Sequence, residues 1–177
     1  MGLKIAIVGL SESTQSDAPF HDTGWETWGL GWCPGYALEY TRVFEMHDPW
    51  DYEKVRPGYI ERLEAIADGA SVYMQKKFFK WVTLYPFADI KRDYFTSSVA
   101  YMVAMAATLN PTHISLYGVD INEDGPYSAQ RACIEYWIGV AESKGIKVCI
   151  PEQSSLLKFS NAGHCEQYTE RYGKSWL

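Results

Sequence analysis

Short apolar runs alternate along the chain with longer segments in which apolar residues recur every three or four positions. Residues 3–8 form a largely apolar run that ends at Gly9, which is typical of a strand buried on both faces of a sheet. Further short strands are predicted at residues 43–46, 72–74, 81–84, 114–117 and 146–150.

Three segments between these strands have helical spacing, at residues 52–68, 97–109 and 127–144. Gly69, Asn110-Pro111 and Gly145 are their expected stops. Strands that alternate with helices predict an α/β fold with a doubly wound, mostly parallel, Rossmann-like sheet. We predict one domain over residues 1–177, in which residues 160–177 are a loosely held tail.

Composition narrows the class of protein. At 47% apolar residues the chain of 177 residues is not disordered, and it is long enough to bury a core. A net charge of −6, with one lysine cluster at Lys76, Lys77 and Lys80, argues against direct nucleic-acid binding. Four widely separated cysteines indicate neither a zinc knuckle nor a disulfide framework.

The amino-terminal segment "MGLKIAIVGL" is too short for a membrane span and lacks a cleavage signal. We therefore expect a cytoplasmic protein without a membrane partner. A homo-oligomer is left open.

Hydroxyl groups follow the first strand and precede the second predicted helix. Gly9, Ser11 and Ser13 can present N–H groups and hydroxyls to a phosphate, although the full G-x-G-x-x-G pattern is absent and a plain turn explains Gly9 equally well. At the second helix, one hydroxyl would cap the amino terminus and the others would favour an anion there. These residues are Thr96, Ser97 and Ser98.

Asp120 follows the strand at residues 114–117, next to Gly118, which permits close backbone approach. In related nucleotide-binding sheets an acid in this position binds a ribose or sugar hydroxyl. The alternative is a carboxylate that caps the turn "NEDG".

His47 and Asp48 follow the second predicted strand. Because an ordinary histidine titrates near neutrality and an adjacent acid can tune it, His47 is the preferred proton acceptor and Asp48 its partner. A structural histidine is the alternative, and His21 is the rival candidate. No metal-ligand spacing is evident.

Several segments in a fixed order resemble a known family. They are "IAIVGLSES", "YFTSSVAYMVAMAATL", "ISLYGVDI" with Tyr127 a few residues on, and "GIKVCIPEQSSLLKF". In this order they resemble the core of the bacterial sialyltransferases that use CMP-sialic acid. They are also similar to hydroxymethylpterin diphosphokinase-like and flagellar-glycosylation accessory proteins, and to small uncharacterised phage proteins. The resemblance covers about half of the chain.

The resemblance implies a nucleotide-binding fold and a role for each matching position. Gly9 and Ser11 would approach a nucleotide, and Tyr127 would reach a phosphate oxygen. Thr96, Ser97 and Ser98 would hold the donor's anionic group, with Gly118 and Asp120 lining the nucleoside pocket. The family's first loop, G-x-G-P-S, is here Gly-Leu-Ser-Glu-Ser, and its catalytic histidine has no counterpart between Asp120 and Pro151. A retained pocket with different chemistry is therefore expected.

The leading hypothesis is a transferase that resembles glycosyltransferases and uses a nucleotide-linked sugar donor without a cofactor. Arg131 is expected to bind phosphate, because it falls one turn after Tyr127 and a guanidinium makes two contacts to phosphate. Trp25, Trp28 and Trp32 are either an acceptor platform or core residues. The alternatives are a pyrophosphokinase or nucleotide hydrolase with a divalent metal on Asp48 and Asp120, and a non-enzymatic ligand-binding or assembly protein.

Overall fold

The computed structural model describes residues 2–32, 39–90, 92–121 and 127–157. The predicted tail at 160–177 lies outside the described residues. The strands are β1 (Lys4–Val8), β2 (Glu26–Leu30), β3 (Arg42–Glu45), β4 (Ser71–Met74), β5 (Val82–Leu84), β6 (His113–Tyr117) and β7 (Lys147–Cys149). The α-helices are α1 (Pro49–Val55), α2 (Tyr59–Ala67), α3 (Ser98–Thr108) and α4 (Ser128–Ser143).

All seven strands form one parallel sheet in the order β5-β4-β3-β2-β1-β6-β7. The chain builds outwards from β1 to β5, then crosses through α3 to β6 on the other side of β1. The direction of winding therefore reverses between β1 and β6, and in open α/β sheets the crevice beyond the strand ends at such a reversal is where ligands bind. The predicted doubly wound α/β fold is confirmed.

Helices cover both faces of the sheet. On one face α3 and α4 pack against a core that includes Ile7, Trp28 and Leu116. Almost all of α3 is buried, and its alanines let it lie close to the strands. On the other face Tyr59 and Leu63 of α2 pack against the sheet. Within the described part of the chain, no helix has the length and apolarity needed to cross a bilayer.

Two features of the amino-terminal half of the chain differ from the sequence prediction. The expected helix at residues 52–68 is divided into α1 and α2, because Pro57 precedes Gly58, whose φ of 87° is left-handed. The aromatic-glycine segment that begins at Gly24 contains β2, which was not predicted. Its glycines obscured the strand pattern, and Gly29 is needed there because a Cβ would collide with the ring of Tyr40.

The loops that follow β1 and β6 cross in direct backbone contact. Gly9 N donates to Tyr117 O at 2.8 Å, and Ser11 N donates to Gly118 O at 2.9 Å. A Cβ on Gly9 would lie 2.4 Å from Gly118 O, and one on Gly118 would lie 2.7 Å from Ser11 O. Both positions therefore require glycine, and at Gly118 the φ of 60° adds to this requirement.

Gly118→Ala is expected to destabilise the protein more than Gly145→Ala. Both glycines have positive φ, but a Cβ on Gly145 meets no atom within 4 Å, whereas one on Gly118 meets backbone. Gly145→Ala should cost about 1–2 kcal/mol from its dihedral angles alone, and Gly118→Ala should exceed that value. Urea unfolding of both variants measures the difference, and equal losses would contradict the steric role of the crossing.

Candidate active site

Polar side chains gather where β1 and β6 end, at the crossing of their loops. Ser11 Oγ donates to Asp120 Oδ2 at 2.8 Å, and Ser13 Oγ donates to the same oxygen. Asp120 Oδ1 is buried and has no hydrogen-bond partner in the described part of the chain. A buried carboxylate oxygen without a donor is costly. The crossing therefore presents an acceptor that a ligand hydroxyl would satisfy.

Two buried polar residues that the sequence analysis did not single out hold this crossing together. Thr14 Oγ1 accepts from Gly118 N at 2.8 Å, and Gln15 Nε2 donates to Gly9 O at 2.8 Å. They lie in the loop "SESTQSDAPFHD", which looks wholly solvent-exposed in sequence. The sequence of a polar loop does not indicate which of its side chains are buried, and the structure shows that Thr14 and Gln15 are.

The amino termini of α3 and α4 lie side by side on one face of the sheet. Ser97 caps α3, since its Oγ accepts from Ala100 N at 3.2 Å. Thr96 Oγ1 donates to Ala129 O in the first turn of α4 at 2.8 Å. The Ser97 hydroxyl is thus engaged as a cap and the Thr96 hydroxyl as a link to α4. Two positive helix ends meet there. Ser98 is the first residue of α3 and is half-buried.

Tyr127 and Arg131 both belong to the start of α4, as predicted. Tyr127 is the cap residue of the helix and its side chain is exposed. Arg131 Nε donates to Glu135 Oε1 at 2.8 Å, and the guanidinium is largely buried. Its charge is therefore partly neutralised by Glu135, which the sequence analysis did not consider.

His47 lies just beyond the carboxyl end of β3, against a buried acid. Its Nδ1 is 2.8 Å from Glu45 Oε1, and its backbone N–H donates to the same oxygen at 2.9 Å. The hydrogen bond to Glu45 raises the pKa of His47, and partial burial opposes this shift. More than half of the His47 side chain remains exposed. A histidine in this setting can take up a proton from the solvent side.

Asp48 does not serve His47 as the sequence suggested. Its carboxylate accepts from Trp50 N at 3.0 Å and caps α1. The partner of His47 is instead Glu45, which the sequence analysis missed. The available signal was an acid at the end of an apolar strand, since residues two apart on a strand lie on the same face and Glu45 follows buried Val43.

The three tryptophans do not form one platform. Trp28 is fully buried in the core, so it cannot touch an acceptor. Trp25 lies at the opposite end of the sheet, where its ring packs near His113 and Lys4 at the strand starts. Only Trp32 is at the carboxyl end, and the Arg56 guanidinium lies 3.6 Å from the centre of its ring. The predicted acceptor role is therefore withdrawn for Trp28 and Trp25.

The described residues contain no group of three or more His, Cys, Asp and Glu side chains arranged to hold a metal ion. Asp48 and Asp120, the pair considered for a divalent metal, are engaged as a helix cap and as the acceptor of two serine hydroxyls.

Solved structures of the sialyltransferase CstII from Campylobacter jejuni resemble this chain. CstII with the substrate analogue CMP-3FNeuAc matches with a TM-score of 0.51 at 15% identity, over 85% of this chain and 80% of CstII. A CstII variant in complex with CMP also gives 0.51, at 12% identity, over 84% and 80% of the two chains. No family model and no curated protein sequence matches.

These similarities confirm the sialyltransferase-like fold that the sequence resemblance implied. Both solved structures are of one enzyme, and at this level of identity they speak to the fold alone. They do not bear on the resemblance to diphosphokinase-like or phage proteins.

The stability lost in His47→Gln should depend on pH. Because the pKa of His47 is raised in the folded state, its contribution is complete below the unfolded value of 6.5 and is lost as pH rises through the folded value. Urea unfolding should therefore show a larger loss at pH 6 than at pH 9. An equal loss at both values would mean that the contact with Glu45 does not favour the protonated ring.

Proposed function

We propose that this protein is a glycosyltransferase-like enzyme that binds a nucleotide-linked sugar at the β1–β6 crevice. The observation that carries the proposal is the cluster at the loop crossing, where Asp120 accepts from Ser11 and Ser13. Its other carboxylate oxygen is buried and has no partner among the described residues. A ribose or sugar hydroxyl is the natural donor to such an oxygen. The fold shared with CstII, which has been solved with CMP and with CMP-3FNeuAc, supports a nucleotide in this crevice.

The neighbouring groups suit the rest of such a donor. The positive amino termini of α3 and α4 favour the phosphate, with Tyr127 exposed beside them. His47 at the end of β3 is two strands from β1, which corresponds to about 10 Å at the usual spacing. A sugar attached to the phosphate would extend towards His47 along the carboxyl edge of the sheet, which we call the rim.

The proposed reaction assigns a separate role to each side of the rim. His47 Nε2 takes the proton of the acceptor hydroxyl as its oxygen attacks the anomeric carbon. The bond from that carbon to the phosphate oxygen breaks, and the nucleotide leaves with the electron pair. Donors at the amino termini of α3 and α4 stabilise the negative charge that develops on the phosphate.

Nucleotide binding is tested by thermal shift with CMP, UMP, GMP and AMP. One of them at about 100 times its dissociation constant should stabilise the protein by about 2.7 kcal/mol. Asp120→Asn should weaken that binding about 10-fold or more, because an amide donor would replace the carboxylate acceptor. CMP is the first choice.

Asp51→Asn is the matched control, since this exposed acid on α1 pairs with Lys54 and lies outside the crossing. It should leave nucleotide affinity unchanged. If no nucleotide shifts the unfolding temperature, or if both variants weaken binding equally, the crevice is not the proposed site.

Donor turnover tests the chemistry. With CMP-sialic acid as the first donor, release of CMP should fall about 100-fold or more in His47→Gln, the usual size of a general-base contribution. The affinity for CMP should be retained. Turnover that requires added magnesium would instead favour the pyrophosphokinase or hydrolase reading, and unchanged turnover in His47→Gln would remove His47 from the mechanism.

A further inference from the structure

Glu45 is a nearly fully buried carboxylate on β3 whose two oxygens both have donors. Oε1 receives the backbone N–H of His47 and faces its Nδ1, while Oε2 accepts from the hydroxyl of Tyr59 on α2. The side chain thus joins the end of β3 to the helix that covers it. Burying a carboxylate is costly, and it persists where each oxygen is satisfied.

We propose that Glu45 is a positioning residue that fixes the proton of His47 on Nδ1 and leaves Nε2 as the proton-accepting nitrogen at the rim. An ionised carboxylate can only accept hydrogen bonds, so a ring nitrogen 2.8 Å away must carry the proton. The neutral ring then has one lone pair, on Nε2. The inference names the positioning partner of the base assigned in the proposed function and rests on that function only for its catalytic consequence.

The surroundings of Glu45 hold it in one place. A Cβ on Gly31, just after β2, would lie 2.9 Å from Oε2 and closer still to the Tyr59 hydroxyl, so only glycine leaves room for this contact. The Tyr59 ring also packs 5.2 Å from that of Tyr52, which in turn meets His47 edge-on at 5.4 Å between centroids. The imidazole is therefore fixed both by a hydrogen bond and by ring packing.

Charged groups also act on the two tyrosines that pack around His47 and Glu45. Burial and then Glu45 raise the pKa of both Tyr52 and Tyr59, while Arg56 at Tyr52 and Arg62 at Tyr59 oppose this with smaller lowering effects. Both tyrosines therefore stay neutral at physiological pH, and the Tyr59 hydroxyl remains a donor to Glu45.

The test is nitrogen-15 NMR of the imidazoles in the free protein, with His47 assigned by its loss in His47→Gln. In the neutral ring Nδ1 should carry the proton and Nε2 should not. In Glu45→Gln, which keeps the shape and one acceptor oxygen, the His47 titration should move to lower pH. A neutral ring protonated on Nε2 would overturn the proposal even if the variant failed to fold.

Glu53→Gln is the control, since it also removes one acid near the rim. Its carboxylate accepts from Gly58 N and Ile60 N, each at 2.8 Å, and does not contact His47. It should leave the His47 titration in place. A shift of equal size in both variants would mean that net charge, and not the contact with Glu45, governs the ring.

The pH dependence of turnover provides a second test of the role of Glu45. Where donor turnover is observed, the acid limb of its pH profile should move to lower pH in Glu45→Gln while the affinity for CMP is unchanged. If the NMR result holds and no donor is turned over, the pair is real and the proposed function fails. If turnover is observed and its acid limb stays in place, Glu45 does not position the base.

Discussion

The close crossing of the loops after β1 and β6 is the constraint on which the candidate site depends. Two backbones meet there without room for a side chain on either Gly9 or Gly118. Hydrogen bonds from Ser11 N and to Thr14 Oγ1 then lock the crossing. Because the strands are in register from Lys4 opposite His113 to Val8 opposite Tyr117, the loops begin at the same height. Ser11 and Ser13 in the loop after β1 are thereby brought within hydrogen-bonding distance of Asp120 in the loop after β6.

The candidate site has two parts that different elements build. The crossing belongs to the point where the sheet reverses its winding, whereas the pair of His47 and Glu45 belongs to β3 and the helix that covers it. A bridging substrate would use one part to bind and the other to transfer a proton. Under the proposed function, His47 would supply the base, because the catalytic histidine implied by the sequence resemblance has no counterpart between Asp120 and Pro151.

Much of the fold was predictable because its signals are local. The apolar run before Gly9, the small-residue helix α3 and the amphipathic helix α4 follow from periodicity, and their alternation implies a parallel sheet. β2 escaped detection because its Trp28 and Gly29 are set by contacts with side chains distant in sequence, Phe44 and Tyr40 respectively. Pro57-Gly58 signals the division between α1 and α2. The helical spacing of the apolar residues after Gly58 nevertheless led to the prediction of one continuous helix.

The site was predictable only where position in the sheet decides the outcome. Residues directly after strands, such as Ser11, Asp120 and His47, could be found because strand ends share one edge. Tyr59 and Thr14 could not be found in this way, since they reach Glu45 and Gly118 through tertiary contacts that no spacing records. The choice of Asp48 as partner of His47 shows the difference. Adjacent residues on a chain leaving a strand point in different directions, so the acid two residues earlier, on the same face, reaches the ring.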